Sequence, residues 1–210
     1  MFTIGEFLQS EVKPALGCTE PVCIALTCAY AASLIPERIV DEIELTLSPG
    51  LYKNGHGVFL PGAPGERGVL MAAAIGAVAG DPKRDMEVLS SISKKDILGA
   101  KKLILDNKVK ISIDYSRMGI YCKAKITGGD NVSEGVIAGL HNKLISLKLN
   151  GQEMVDGKDE IEGNKNHPKS SMTLDGSNIV EQIKRLPCDD LFLLLDDLTY
   201  EDLEFLKKRC

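Results

Sequence analysis

The segment Val12–Pro21, VKPALGCTEP, places a cysteine where a turn gives way to a helix. Pro14 and Gly17 break the chain, Thr19 suits a helix N-cap, and Glu20 and Pro21 suit a first helical turn. A thiol at that place feels the positive end of the helix dipole and the free amides around it. Such surroundings lower its pKa and favour the thiolate, the form that attacks electrophiles or binds metal. Cys18 is therefore a candidate metal ligand or nucleophile; the same residues also allow it to be a small residue in a tight turn. Cys23 and Cys28 follow at steps of five, a spacing that rotates about 140° on a helix, so the three sulfurs cannot converge on one ion. At most one is a ligand, and the others read as small apolar packing residues.

A second segment, Ser48–Gly68, carries glycines at 50, 55, 57, 62, 65 and 68 around Lys53, Asn54 and His56. Read as a loop, it offers backbone amides that approach a ligand closely, beside a lysine, an amide and an imidazole able to hold an amino-acid carboxylate. The alternative is a wide surface turn. The phosphate-loop pattern G-x-x-x-x-G-K-[ST] is absent. His141, at a strand boundary, is a candidate base by residue type alone, and His167 in a polar stretch receives no role. Cys188 follows Pro187 at the start of a helical pattern, a weaker version of the Cys18 arrangement. The acids 189, 190, 196, 197, 201 and 202 read as solvated helix faces.

The elements that must position these residues follow from periodicity. Gly5–Val12 reads as a short helix, Val22–Ile35 as a nearly all-apolar and hence buried helix, and Ile43–Leu47 as a half-buried strand. Val69–Ala79 is a small-residue helix, with further helices expected at Met86–Ile92 and Lys95–Leu105. Lys108–Tyr115, Ile120–Thr127, Asn131–Ala138 and Leu144–Leu149 read as four successive strands, with a hairpin at Gly128-Gly129. The fold class is α+β, with helices packed on an antiparallel or mixed sheet in a sandwich. Residues 1–150 form that domain, 151–176 are a polar linker, and 177–210 are a short helical segment, the start of a truncated or separate all-α domain.

The chain has 210 residues, 44% hydrophobic and 26% charged, with a net charge of −5. No basic stripe for nucleic acid is expected from such a balance. The longest apolar stretch, Val22–Ile35, has 14 residues, short of the roughly 20 that span a bilayer. Its first residues lack the basic region of a signal peptide, and the expected location is the cytoplasm, where six cysteines are more usually thiols or metal ligands than disulfides.

Taken together, VKPALGCTEPV and LSPGLYKNGHGVFLPGAPGERGVLMAAAIGAVAGDP resemble the signature segments of the L-cysteine desulfidases, a group described as serine dehydratase alpha-chain-like, and IAGLHNKLISL is similar to a further segment of it. The resemblance covers roughly residues 5–150 and fades through the linker. It implies an oxygen-sensitive 4Fe-4S cluster and a lyase that degrades L-cysteine to hydrogen sulfide, ammonia and pyruvate, or L-serine to pyruvate and ammonia. Cys18 matches that family's N-terminal cluster cysteine, and Lys53 and Asn54 are expected at the substrate. Protein thiolates would hold three irons and leave the fourth open as a Lewis acid. The family's other cluster cysteines lie in a C-terminal helical domain that nothing here matches. The expectation is thus an N-terminal portion, inactive alone, that needs a second chain bearing the remaining cysteines. The alternative is a non-catalytic amino-acid-binding or regulatory module.

Overall fold

A computed structural model describes residues 2–12, 17–156 and 179–207, which fall into two compact units. The larger, Leu16–Ile161, is an α+β unit. The smaller joins Met1–Ala15 to Glu162–Cys210.

In the larger unit, β1 (Glu42–Leu47), β2 (Val109–Ile113), β3 (Tyr121–Gly128), β4 (Asn131–Ala138), β5 (Leu144–Leu149) and β6 (Gln152–Asp156) form one sheet in the order β2-β1-β3-β4-β5-β6. β1 and β2 are parallel, as their helical crossover requires, and every other neighbouring pair is antiparallel. Alternation sorts the faces: Ile43, Leu45, Leu47, Cys122, Ala124, Ile126 and Ile137 are buried. The intervening residues form cross-strand ion pairs, among them Lys125–Glu44 at 2.7 Å and Lys123–Glu134 at 2.9 Å.

α2 (Thr19–Ser33) packs between that buried face and α4 (Val69–Ala79), and α5 (Lys94–Leu105) packs on α4. Buried on every side, α2 has no polar stripe from Pro21 to Ala29. Its approach to α4 is set by Gly76, where an added Cβ would lie 2.3 Å from the Ala25 carbonyl oxygen and 2.5 Å from the Ala25 Cα. Arg38 closes the far end of α4: its Nε donates to the Ala77 carbonyl at 2.7 Å, and its Nη2 to those of Gly76 and Gly80 at 2.8 and 2.6 Å. The Gly76 carbonyl also accepts the closing helical bond from the Gly80 amide at 3.0 Å, and a guanidinium at a helix C-terminus also answers the dipole.

In the smaller unit, α1 (Ile4–Glu11) opens with a capping box, in which the Glu6 amide donates to the Thr3 hydroxyl and the Thr3 amide to the Glu6 carboxylate. Gly5 lets α1 approach Asp202 of helix Tyr200–Lys207, whose Oδ1 would lie 2.7 Å from an added Cβ. Phe192 and Leu193, on the helix Cys188–Leu193, are 70% and 62% exposed and present an apolar face.

Four expectations need correction. Pro49–Gly55 is a helix, α3, where the glycine-rich segment reads as a loop; Pro49 starts it and Leu51 buries against the core. Cys18, not Thr19, is the N-cap of α2. Residues 82–87 form a 3₁₀ turn followed by further turns, not a helix over Met86–Ile92, because Asp85 has a positive φ of 51°. β6 occupies the start of the expected linker, joined to β5 by Asn150 and Gly151 at φ 51° and 81°. The remainder of the linker and its His167 lie outside the described residues.

Substituting Gly76→Ala should destabilise the chain by about 1–3 kcal/mol or more, because the added methyl meets backbone that cannot retreat without moving a helix. Urea denaturation measures this; a midpoint equal to the parent's would show that the α2–α4 contact is looser than described.

Candidate functional site

Gly17, at φ 71° and stacked near Pro61, turns the chain into α2. Cys18 follows with extended backbone (φ −70°, ψ 131°), and its thiol makes no cap hydrogen bond. It donates instead to Glu20 Oε2, with Sγ and oxygen 2.9 Å apart. Asn54 Nδ2 donates to the other oxygen, Oε1, at 3.2 Å, and the Thr19 hydroxyl lies 3.4 Å from Oε2. Asn54 reaches Glu20 because the end of α3 lies on α2: a Cβ at Gly55 would touch Val69 at 3.1 Å and Ile24 at 3.5 Å. From the β4–β5 loop, His141 brings its Nε2 to 3.4 Å from the Thr19 hydroxyl.

The electrostatics correct the expectation of an acidified thiol. Burial pushes the Cys18 pKa up, the hydrogen bond to Glu20 adds to the rise, and the carboxylate charge opposes a second negative charge beside it. Backbone hydrogen bonds at Thr19 and Glu20 pull the other way and do not win. Glu20 is held below its ordinary value, chiefly by the Cys18 thiol, with Asn54 and the positive field of His141 assisting. The resting pair at neutral pH is thus a protonated thiol donating to an ionised carboxylate.

Of the residues expected at the site, Cys18 and Asn54 are brought together through Glu20. Lys53 is exposed on α3, with its ammonium in no hydrogen bond or ion pair among the described residues. His56 stacks on Tyr52, with ring centroids 5.2 Å apart. Cys23, Cys28 and Cys122 are fully buried in the core, where desolvation drives their pKa values up, that of Cys122 to about 12. Cys210 and the side chain of Cys188 lie outside the described residues. Glu20, Thr19 and His141 are the members that sequence reading did not assemble. Glu20, two residues from Cys18 inside the same motif, was the one signal available; His141 is 122 positions from Thr19.

Among the described residues no group of three or more His, Cys, Asp or Glu could hold a metal ion. Cys18 can supply one thiolate to an iron–sulfur cluster, whereas such a cluster takes several. The described donors therefore do not complete that set. Among the same residues no helix is long and apolar enough to cross a membrane.

The thiol–carboxylate pair predicts a measurable reactivity. Replacing Glu20→Gln removes the adjacent charge and lowers the Cys18 pKa, so iodoacetamide should modify Cys18 several-fold faster at pH 8, where the parent thiol is still largely protonated. Mass spectrometry of the Cys18 peptide follows the rate; a variant that reacts no faster would show that Glu20 does not control the thiol.

The chain is similar to UPF0597 proteins. It is 39% identical to one from Desulforapulum autotrophicum over 211 residues, 35% to one from Desulfatibacillum aliphaticivorans over 208, and 36% to one from Desulfotalea psychrophila over 212. These matches take in 98–99% of the chain and 46% of each relative, so the chain spans just under half the length of the curated relatives it matches. No family model and no solved structure matches the chain. This corrects the resemblance read from the motifs: the relatives are named UPF0597 proteins and not L-cysteine desulfidases, and the similarity runs through residues 151–210 instead of fading near 150.

Proposed function

We propose that this chain contributes one half of a lyase site, in which Cys18 provides one thiolate to a 4Fe-4S cluster whose other ligands lie outside the chain. The observation that carries this reading is the Cys18–Glu20 pair: a thiol at a helix N-terminus, 2.9 Å from a carboxylate that can take its proton when a metal binds. The relatives' extra length leaves room for the missing ligands, either in a continuation or in a second chain. A bound cluster would supply Lewis acidity at its open iron.

The substrates proposed are L-cysteine or L-serine. Lys53 offers an exposed ammonium to the substrate carboxylate, while Asn54 and Glu20 present a polar wall beside the thiol. Loss of the α-proton and of the β-thiol or β-hydroxyl leaves an enamine. Water converts it to pyruvate and ammonia, with hydrogen sulfide or water as the other product. Free thiols at 18, 23, 28 and 122 and an oxygen-sensitive cluster suit a reducing cytoplasm. A second reading, an amino-acid-binding module without catalysis, draws on the same protonated thiol. It predicts binding of L-cysteine in calorimetry without iron and no sulfide release under any condition.

The test is anaerobic reconstitution with iron and sulfide, using this chain with and without the portion of a UPF0597 relative that it does not span. Broad visible absorption and sulfide release from L-cysteine should arise only in the combined sample and vanish with Cys18→Ala. Retention of both in the variant would exclude Cys18 as a ligand. In the active sample Lys53→Met should raise KM about tenfold, equivalent to one charge-assisted contact, with kcat little changed.

A further inference from the structure

The loop that carries His141 is tethered from outside its own hairpin. Its ends are fixed by backbone bonds: the Gly139 amide donates to the Ile120 carbonyl at 3.0 Å and the Ala138 amide to that of Lys143 at 3.1 Å. The next residue, Asn142, donates its Nδ2 to Asp85 Oδ2 at 2.9 Å, linking the loop to the 3₁₀ segment Pro82–Glu87. Asp85 holds an uncommon backbone conformation, with φ 51° and ψ −124°, a region that glycine enters freely and a residue with a Cβ rarely does.

The turn itself does not need an aspartate at that place. Asp81 already caps it, accepting from the Lys83 amide at 3.1 Å and pairing with Arg84 at 3.3 Å. A glycine at 85 would form the same backbone without strain. What glycine could not supply is the carboxylate that holds Asn142, one residue from the imidazole that stands at Thr19.

We propose that Asp85 is a positioning residue: its strained backbone is retained so that its carboxylate, through Asn142, holds the His141 ring at the Thr19 end of α2, beside the Cys18–Glu20 pair. This rests on reading that end of α2 as the reacting site, but the placement of the ring can be measured without cluster or substrate.

The experiment is NMR of the ¹³C-labelled full chain, reading the nuclear Overhauser effect between the His141 ring protons and the Thr19 methyl. In Asp85→Gly this signal should fall at least fivefold while the melting temperature stays at or above the parent's, since strain is relieved as the tether is lost. Asp85→Asn, which tolerates a positive φ and keeps an acceptor oxygen, should retain the signal. Should Asp85→Gly fail to fold, Asn142→Ala leaves residue 85 untouched and is read the same way. A signal that persists at the parent's strength in Asp85→Gly, or in Asn142→Ala, overturns the proposal. Lyase activity of the reconstituted sample is scored separately: its absence in the parent would fault the proposed function and leave the positioning result standing.

Discussion

The close approach of α2 to α4 is the constraint on which the rest depends. Gly76 lets the two backbones meet at Ala25, and the alanines on α4 allow that contact to run along the helix. α2 is then buried between α4 and the sheet, and its N-terminus has one place to emerge. That place is where α3 ends and the β4–β5 loop arrives. Cys18, Glu20, Asn54 and His141 meet there because the packing of apolar and small residues leaves each element little freedom, not because their mutual attraction is strong. The hydrogen bonds of the site are part-buried or exposed and contribute on the order of 1 kcal/mol each.

The chemistry of the site turns on two opposing influences on one thiol. Position at a helix N-terminus favours the thiolate, while burial and a neighbouring carboxylate favour the protonated form. Here the second influence prevails: burial is the largest cause, the hydrogen bond to Glu20 adds to it, and the backbone hydrogen bonds at Glu20 and Thr19 do not offset the two. A thiol so held is quiescent until something displaces its proton, and Glu20 is in place to receive it.

Much of the architecture was legible in the sequence for identifiable reasons. Strand alternation in VKISI and YCKAKIT sorted two faces of the sheet, and the nearly all-apolar run of α2 announced its burial. α3 was not legible, because glycines at 50 and 55 argue for a loop locally while Pro49 and the burial of Leu51 decide for a helix. β6 could have been found, since Asn150-Gly151 is a strong two-residue hairpin signal, but the polar residues around it read as linker. At the site, Cys18 and Asn54 stood out by motif. Their connection through Glu20, and the arrival of His141 from a distant hairpin, depend on tertiary packing that no local pattern encodes. The motif resemblance pointed to a family that the matched relatives do not bear out by name, since short segments carry less discrimination than similarity over a whole chain.

The central claim, that Cys18 rests as a protonated thiol donating to the Glu20 carboxylate, is tested most directly by the infrared S–H stretch in the difference spectrum between the parent and Cys18→Ala. The account predicts a band at neutral pH, displaced to lower frequency than that of a free thiol and moving back in Glu20→Gln. Absence of any S–H band assignable to Cys18 at neutral pH would mean that the thiolate prevails and that the helix terminus, not Glu20, governs the site.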